Sequence, residues 1–311
     1  MINNIKWPNN HEFAFTVFDD TDFATLQNIK PIYSFLMDIG LKTTKSVWPL
    51  KSNVLKPHIS GTTCADNDYL KWVQDIQEKG FEIALHNVTN SSSIREDTIR
   101  GIELFHNYFG HYPKSFANHS DCQEGIYWGD YRLTGIYRIL YSIIKNKNIN
   151  RFRGHIQNDK YFWGDICKQK IQYVRNFTFN DINTLKKCPY MPYYDPTKPY
   201  VNYFFSSSNG SDVKTFNSLI SEQNQEKLLK ERGACIVYTH FGANFCEDSK
   251  INPKFKSLLN ILSKKNGWFC TTSQLLDYLK NQRKTPSILS KNQRKDLERR
   301  WFIEKIFKGS Y

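Results

Sequence analysis

The chain has little that would staple, anchor or repeat it. Its seven cysteines, at positions 64, 122, 167, 188, 235, 246 and 270, are odd in number, widely spaced and without a C-x-x-C pair. Neither a disulfide framework nor a cysteine zinc knot is supported, and they read as reduced thiols. No apolar run approaches the ~18 residues of a membrane span. The opening MINNIKWPNNHEF lacks a charged-then-apolar leader pattern. These absences set the expectation of a cytoplasmic protein, at most peripheral at the inner face of a membrane. No internal repeat or low-complexity linker is visible, which argues against a solenoid or a string of small modules.

Acidic residues are also scarce, with 30 Asp+Glu against 43 Lys+Arg and a net charge of +13. The excess is not evenly spread. Residues 280–311 hold ten Lys/Arg and three Asp/Glu, a balance of +7, while the other 279 residues share +6. A nucleic-acid enzyme carries a basic groove across its body, so a tail-borne excess does not point to nucleic acid. What is present is 311 residues with 40% hydrophobic and 15% aromatic content, enough for one large core.

Short apolar runs alternate with helical periodicity. Residues 13–18 (FAFTVF) read as a strand covered on both faces, followed by Leu26, Ile29, Tyr33, Leu36 and Met37 at helical spacing and closed by Gly40. Residues 66–80 give a helix leading into a strand at 81–86, and Ser93 with Glu96 predicts a capping box for a helix ending near Gly110. Strands follow at 115–119, 171–174, 234–240 and 268–272, with helices over 215–233 and around Leu275, Leu276 and Leu279. Residues 145–165 and 186–212, rich in Asn, Tyr, Pro and Ser, read as long loops. The alternation predicts a parallel α/β sheet closed, or nearly closed, into a barrel.

In such folds the chemistry sits at the carboxyl ends of strands. Three strands end in polar groups: the first in Asp19-Asp20 with Asp22 beyond, the second in His86, and a late one in His240. Carboxylates and imidazoles converging there suit metal-assisted hydrolysis.

Phe-Thr-Val-Phe-Asp19-Asp20, Gly80-Phe-Glu-Ile-Ala-Leu-His86, Ile236-Val-Tyr-Thr-His240 and the closing Gly267-Trp-Phe-Cys-Thr-Thr-Ser-Gln-Leu-Leu-Asp277 together resemble the polysaccharide deacetylase (NodB-homology, carbohydrate esterase) family over residues 11–280. The resemblance implies a distorted (β/α) barrel that removes acyl groups from sugars with a bound divalent metal, zinc first among candidates. It implies Asp19 as general base, Asp20 and His86 as metal ligands, and His240 as general acid. The chain departs from the family at Asn90, where a second metal histidine is usual and where asparagine is a weak ligand for zinc. The third ligand is then Asn90 itself, His119 or Asp22, or the metal is weakly bound or absent. The family's arginine-proline segment is replaced by Ala117-Asn118-His119-Ser120-Asp121. Arg175 is a candidate cation near Asp19, Asp165 or Asp181 a candidate carboxylate for His240, and Trp163 with Asp165 and the tyrosines of 190–194 candidate substrate contacts.

Residues 1–280 therefore form the expected barrel and residues 281–311 a basic amphipathic tail, with Leu297, Trp301, Phe302, Ile306 and Phe307 at helical spacing. That helix can dock on the barrel or lie on an anionic bilayer. The expected activity is removal of an acyl group from an amino sugar or sugar ester in surface-polysaccharide or lipid-linked glycan assembly, the partner being a carbohydrate, lipid-linked or nucleotide-linked. The alternative is a catalytically silent barrel that binds glycan or scaffolds a biosynthetic complex.

Overall fold

The computed structural model of the chain describes residues 5–52, 54, 60–145 and 150–308. Its strands are β1 (Phe13–Asp19), β2 (Thr44–Val47), β3 (Glu82–Leu85), β4 (Ser115–Phe116), β5 (Tyr173–Phe179), β6 (Tyr203–Asn209), β7 (Ala234–Thr239), a small hairpin β8 (Cys246–Glu247) and β9 (Lys250–Ile251), and β10 (Gly267–Phe269). The helices are α1 (Leu26–Asp38), α2 (Asn67–Glu78), α3 (Arg95–Phe109), α4 (Gly135–Lys145), α5 (Gly164–Lys170), α6 (Thr184–Lys187), α7 (Val213–Leu219), α8 (Glu222–Lys230), α9 (Pro253–Ser263), α10 (Thr272–Asn281) and α11 (Lys291–Lys308).

Strands β1 to β7 pair in order, all parallel, and β7 pairs back onto β1, so the sheet closes into a seven-stranded barrel. β10 fills the seam: it runs beside the first half of β1 (Phe13↔Gly267), and β2 takes over beside the second half (Asp19↔Lys45). Because β1 has neighbours on both sides and every side chain buried, it carries an almost unbroken apolar run up to Asp19. Phe18 meets Phe205 of β6 across the interior, ring centroids 6.0 Å apart, and forms the floor beneath the strand ends.

Several local expectations are corrected. The stretch 186–212 is not all loop, because it contains β6, whose Ser207 and Ser208 hydroxyls are satisfied by Thr178 and Thr184 at 3.1 and 2.6 Å. The single helix expected over 215–233 is two, since Asn224 turns its amide onto the carbonyls of Ser218 and Leu219 and ends α7. Ser93 does not cap α3. Its N–H donates to Glu124 and its hydroxyl to Ser91, so the helix starts after Ile94. β4 is only two residues, because the chain leaves the ladder at Ala117.

The basic tail is a helix docked on the barrel. Leu297, Trp301 and Phe302 of α11 are buried, Trp301 against Phe177 and Tyr141. Two of its acids turn inward: Glu298 accepts from Thr134 at 3.0 Å, and Glu304 from the Asn180 N–H at 2.8 Å and from Lys187 at 2.5 Å. Among the described residues, no helix is long and apolar enough to cross a membrane.

Candidate functional site

The strand ends open into a cavity of about 470 Å³ whose walls include Asp20, Asp22, His86, His119, Arg175 and His240. Asp19 is not in that wall. It is fully buried at the end of β1, directly opposite Lys45 in the parallel register. The Lys45 Nζ lies 3.0 Å from its Oδ2, Tyr33 donates to the same oxygen at 3.0 Å, and the Phe241 N–H donates to Oδ1 at 2.8 Å. Burial pushes the Asp19 carboxyl above the usual carboxylate range, with Lys45 opposing. With both oxygens held, Asp19 is a strut between β1, β2 and the loop that carries His240. The arginine expected near it is elsewhere.

Arg175 instead grips the next carboxylate. Its two terminal nitrogens donate to the Asp20 oxygens at 2.9 and 2.5 Å, both side chains being buried. The guanidinium lies over Tyr238 (4.4 Å) and Phe18 (5.1 Å), which fix its plane. Arg175 reaches this position because β5 crosses the barrel from β1 with its side chain pointing inward.

Asp22 is the residue at the centre of the histidines. Phe23 after it has a backbone φ of +60°, uncommon for a bulky residue, and turns the chain so that Asp22 faces back into the barrel. On the other side of the loop, Gly242 lies against the Phe23–Ala24 backbone, where a Cβ would come within 2.4 Å of the Phe23 carbonyl carbon. Only glycine allows the loop after His240 to sit that close. Asp22 Oδ1 lies 3.0 Å from His119 Nε2 and Oδ2 lies 3.0 Å from His86 Nε2, and ligand atoms of all three residues fall within 4.8 Å of one another. Burial pushes the Asp22 carboxyl up, but the two imidazoles outweigh it and hold it well below the usual carboxylate range. Burial lowers the affinity of His86 for a proton, yet Asp20 and Asp22 reverse that and its pKa is raised.

The donor set fits a divalent cation. The His86 Nδ1 donates to the Ala117 carbonyl at 3.0 Å, which leaves Nε2 bare toward Asp22. Asp22 Oδ2 is buried, 3.0 Å from that nitrogen and 3.8 Å from His240 Nε2. His119 is arranged differently: the Asp121 N–H donates to its Nδ1 at 3.3 Å, and Nε2 donates to Asp22. For Nε2 to bind a cation its proton must move to Nδ1, which then gives up the Asp121 N–H and can donate to the Cys122 sulfur 3.5 Å away. Two nitrogens and a carboxylate oxygen suit zinc or a similar divalent ion.

Asn90 does not line this cavity, and Asp20, though its Oδ2 is 3.8 Å from His86 Nε2, is committed to Arg175. His240 lines the cavity opposite. Its Nδ1 donates to the Ser211 carbonyl at 2.7 Å, and Nε2 faces Tyr238 at 3.3 Å and Asp22 Oδ2 at 3.8 Å. The carboxylate beside His240 is therefore Asp22. Asp165 pairs with Arg95 at the surface and Asp181 with Lys227. Trp163 is buried, donating to the Glu124 carbonyl and packed on Phe116, and Tyr193 is buried against Phe204. None of these four contacts the cavity.

The aromatic walls are Phe23, Trp128 and Tyr238, joined by Arg132 and by Lys305 from α11. Sequence reading missed Trp128, Arg132 and Lys305, which follow no strand. Behind the cluster, buried Glu124 accepts from Asn87 Nδ2 at 3.0 Å and from the Ser93 N–H at 3.1 Å, while Asn87 Oδ1 takes the His119 N–H at 2.7 Å. Burial pushes the Glu124 carboxyl up to about 7.

No family model and no curated protein matches the sequence. Among solved structures, the chain is similar to a candidate polysaccharide deacetylase from Mycobacterium smegmatis, at 12% identity and a TM-score of 0.50 over 92% of this chain and 96% of that one. It is equally similar to the allantoinase PuuE, at 10% identity and a TM-score of 0.50 over 91% and 96%. At such identities the likeness is one of fold. The polysaccharide-deacetylase type of barrel anticipated from the strand-end motifs is the architecture of this chain.

Proposed function

We propose that the chain is a metal-dependent hydrolase that removes an acyl group, acetyl foremost, from an amino sugar or sugar ester. The observation that carries this reading is the convergence of the Asp22, His86 and His119 ligand atoms within 4.8 Å, in one cavity with a second carboxylate, Asp20, and a further imidazole, His240. Asp22, His86 and His119 would hold the ion, which when bound polarises a carbonyl and stabilises developing negative charge.

The base moves from Asp19 to Asp20. Asp20 is the carboxylate that faces the cavity, and its paired guanidinium keeps it oriented while each oxygen retains a free lone pair. Asp20 takes a proton from the attacking water as the water oxygen bonds to the acyl carbon. His240 gives a proton from Nε2 to the departing sugar nitrogen or oxygen as the bond to the acyl carbon breaks. The products are the free amine or alcohol and a carboxylate. Phe23, Trp128 and Tyr238 offer aromatic faces to a sugar ring, the role first expected of Trp163.

The rival reading is a barrel that binds glycan without turnover, favoured by the two-point hold of Arg175 on Asp20. Metal analysis with acetate release from N- and O-acetylated sugars separates the two. Release that depends on added zinc and is lost in Asp20→Asn and His240→Ala supports the hydrolase. Bound metal without release from any acetylated sugar supports the binder.

A further inference from the structure

Helix α4 is amphipathic in the reverse of the usual sense. Its aromatic side grips the protein, with Tyr137 against Phe302 and Tyr141 against Trp301 of α11. Ile136, Ile139, Leu140, Ile143 and Ile144, at the i, i+3, i+4, i+7, i+8 spacing of one helix face, point to solvent, Ile143 with 68% of its surface exposed. On the neighbouring α11, Ile303 and Ile306 are exposed as well. A continuous apolar stripe on a surface helix calls for an occupant.

The charges beside it select one. Lys291, Lys295 and Arg299 are exposed on α11. The acids of the same helix are spent: Glu298 and Glu304 are buried against the barrel, and Asp296 pairs with Arg299 and Arg300 at 3.0 and 2.8 Å. Asp130, before α4, is held by Arg138 at 2.9 Å. A second copy docked by two-fold symmetry would bring this cationic margin against itself. An anionic bilayer meets both features, apolar side chains entering the acyl boundary and cations meeting lipid phosphates.

We propose that α4, flanked by α11, is a peripheral binding surface for anionic membranes. Leu297, Trp301 and Phe302 of α11 are buried against the barrel, so the tail supplies mainly charge, with Ile303 and Ile306 at its margin, and α4 supplies insertion. The same two segments reach the cavity: Trp128 and Arg132 lie just before α4, and Lys305 precedes Ile306. Resting on the hydrolase reading, this places the cavity where a sugar carried on a membrane lipid can enter.

The test is co-sedimentation of the full chain with vesicles of phosphatidylcholine alone or mixed with phosphatidylglycerol. Binding is expected to the mixed vesicles, weakened by salt, and reduced at least about tenfold by the double substitution Ile139→Gln/Ile143→Gln. Lys295→Gln/Arg299→Gln should reduce it several-fold through lost phosphate attraction. Circular dichroism and unchanged acetate release from a water-soluble acetylated sugar check that the Ile139/Ile143 variant is folded. Equal sedimentation of parent and Ile139/Ile143 variant, or no binding to mixed vesicles, overturns the proposal. So does a solution dimer that the same double substitution makes monomeric, with no vesicle binding. None of the vesicle measurements requires turnover, so failure of the hydrolase reading leaves this result standing, and the reverse.

Discussion

Asp20 and Arg175 form a two-point ion pair inside the barrel, 2.9 and 2.5 Å long, between residues 155 positions apart in the chain. Each is buried, so removal of either leaves a charge with no partner. Asp20→Asn and Arg175→Met are each expected to lower stability by about 3–5 kcal/mol, and the double variant to recover much of it. Denaturant unfolding of the four proteins measures this. Additive losses in the double variant would mean that the pair is not coupled. Arg175→Lys keeps the charge but loses the fork, and a roughly hundredfold fall in kcat with little change in KM is expected if orientation of Asp20 matters.

Metal content distinguishes the two carboxylates that share the loop after β1. Asp22→Asn should purify with little divalent metal and regain it only at high concentration, as should His86→Ala. Asp20→Asn should retain metal, because its carboxylate belongs to Arg175. Metal loss in Asp20→Asn with retention in Asp22→Asn, read by elemental analysis, would return the ligand role to Asp20.

Asp19 is expected to behave as a structural residue. Lys45→Met leaves Asp19 buried without its cation and should cost about 3–5 kcal/mol. Asp19→Asn should destabilise as well, yet turnover per folded molecule should fall far less than in Asp20→Asn, where loss of a general base costs about 10²–10⁴-fold. A thousandfold loss in folded Asp19→Asn would restore it as the base.

Glu124 makes stability depend on pH. Its folded pKa of about 7 lies above the ordinary value of 4.5, because burial penalises the carboxylate. The folded state therefore binds the proton more tightly than the unfolded one. The associated stability is present in full below about pH 4.5 and is lost as pH rises through 7, a difference on the order of 3 kcal/mol. Glu124→Gln should remove this component, so the gap between variant and parent should widen in the variant's favour from pH 5 to pH 8 in thermal unfolding. A constant gap would refute the assignment.

The barrel was legible because its central strand is covered on both sides. Phe13–Phe18 could only be a buried strand, and the terminal acids and His86 followed from where such strands end. β6 was hidden because three consecutive serines read as loop, and the Thr178 and Thr184 hydroxyls that partner Ser207 and Ser208 come from other segments of the chain. Within Asp19-Asp20-Thr21-Asp22, roles depend on which carboxylate meets which cation. Those cations, Lys45 and Arg175, are buried charges within strands, with no local pattern to announce them. The proposed base and carboxylate ligand lie one and two residues later than the family resemblance places them. Asn90 looked like a lost ligand only because Asp22, with Phe23 in a left-handed turn behind it, could not be seen facing His86 and His119.

Arg132 lies between two indoles, 4.3 Å from Trp128 and 4.3 Å from Trp301. One indole comes from the middle of the chain and the other from α11, which also brings Lys305 to the cavity. The consequence is one of timing. As the polypeptide leaves the ribosome, Asp22, His86 and His119 can assemble once the barrel strands are out, but the stacked arginine and one side of the cavity mouth wait for the helix that follows the barrel. A nascent chain can thus hold its cluster before it has a finished entrance.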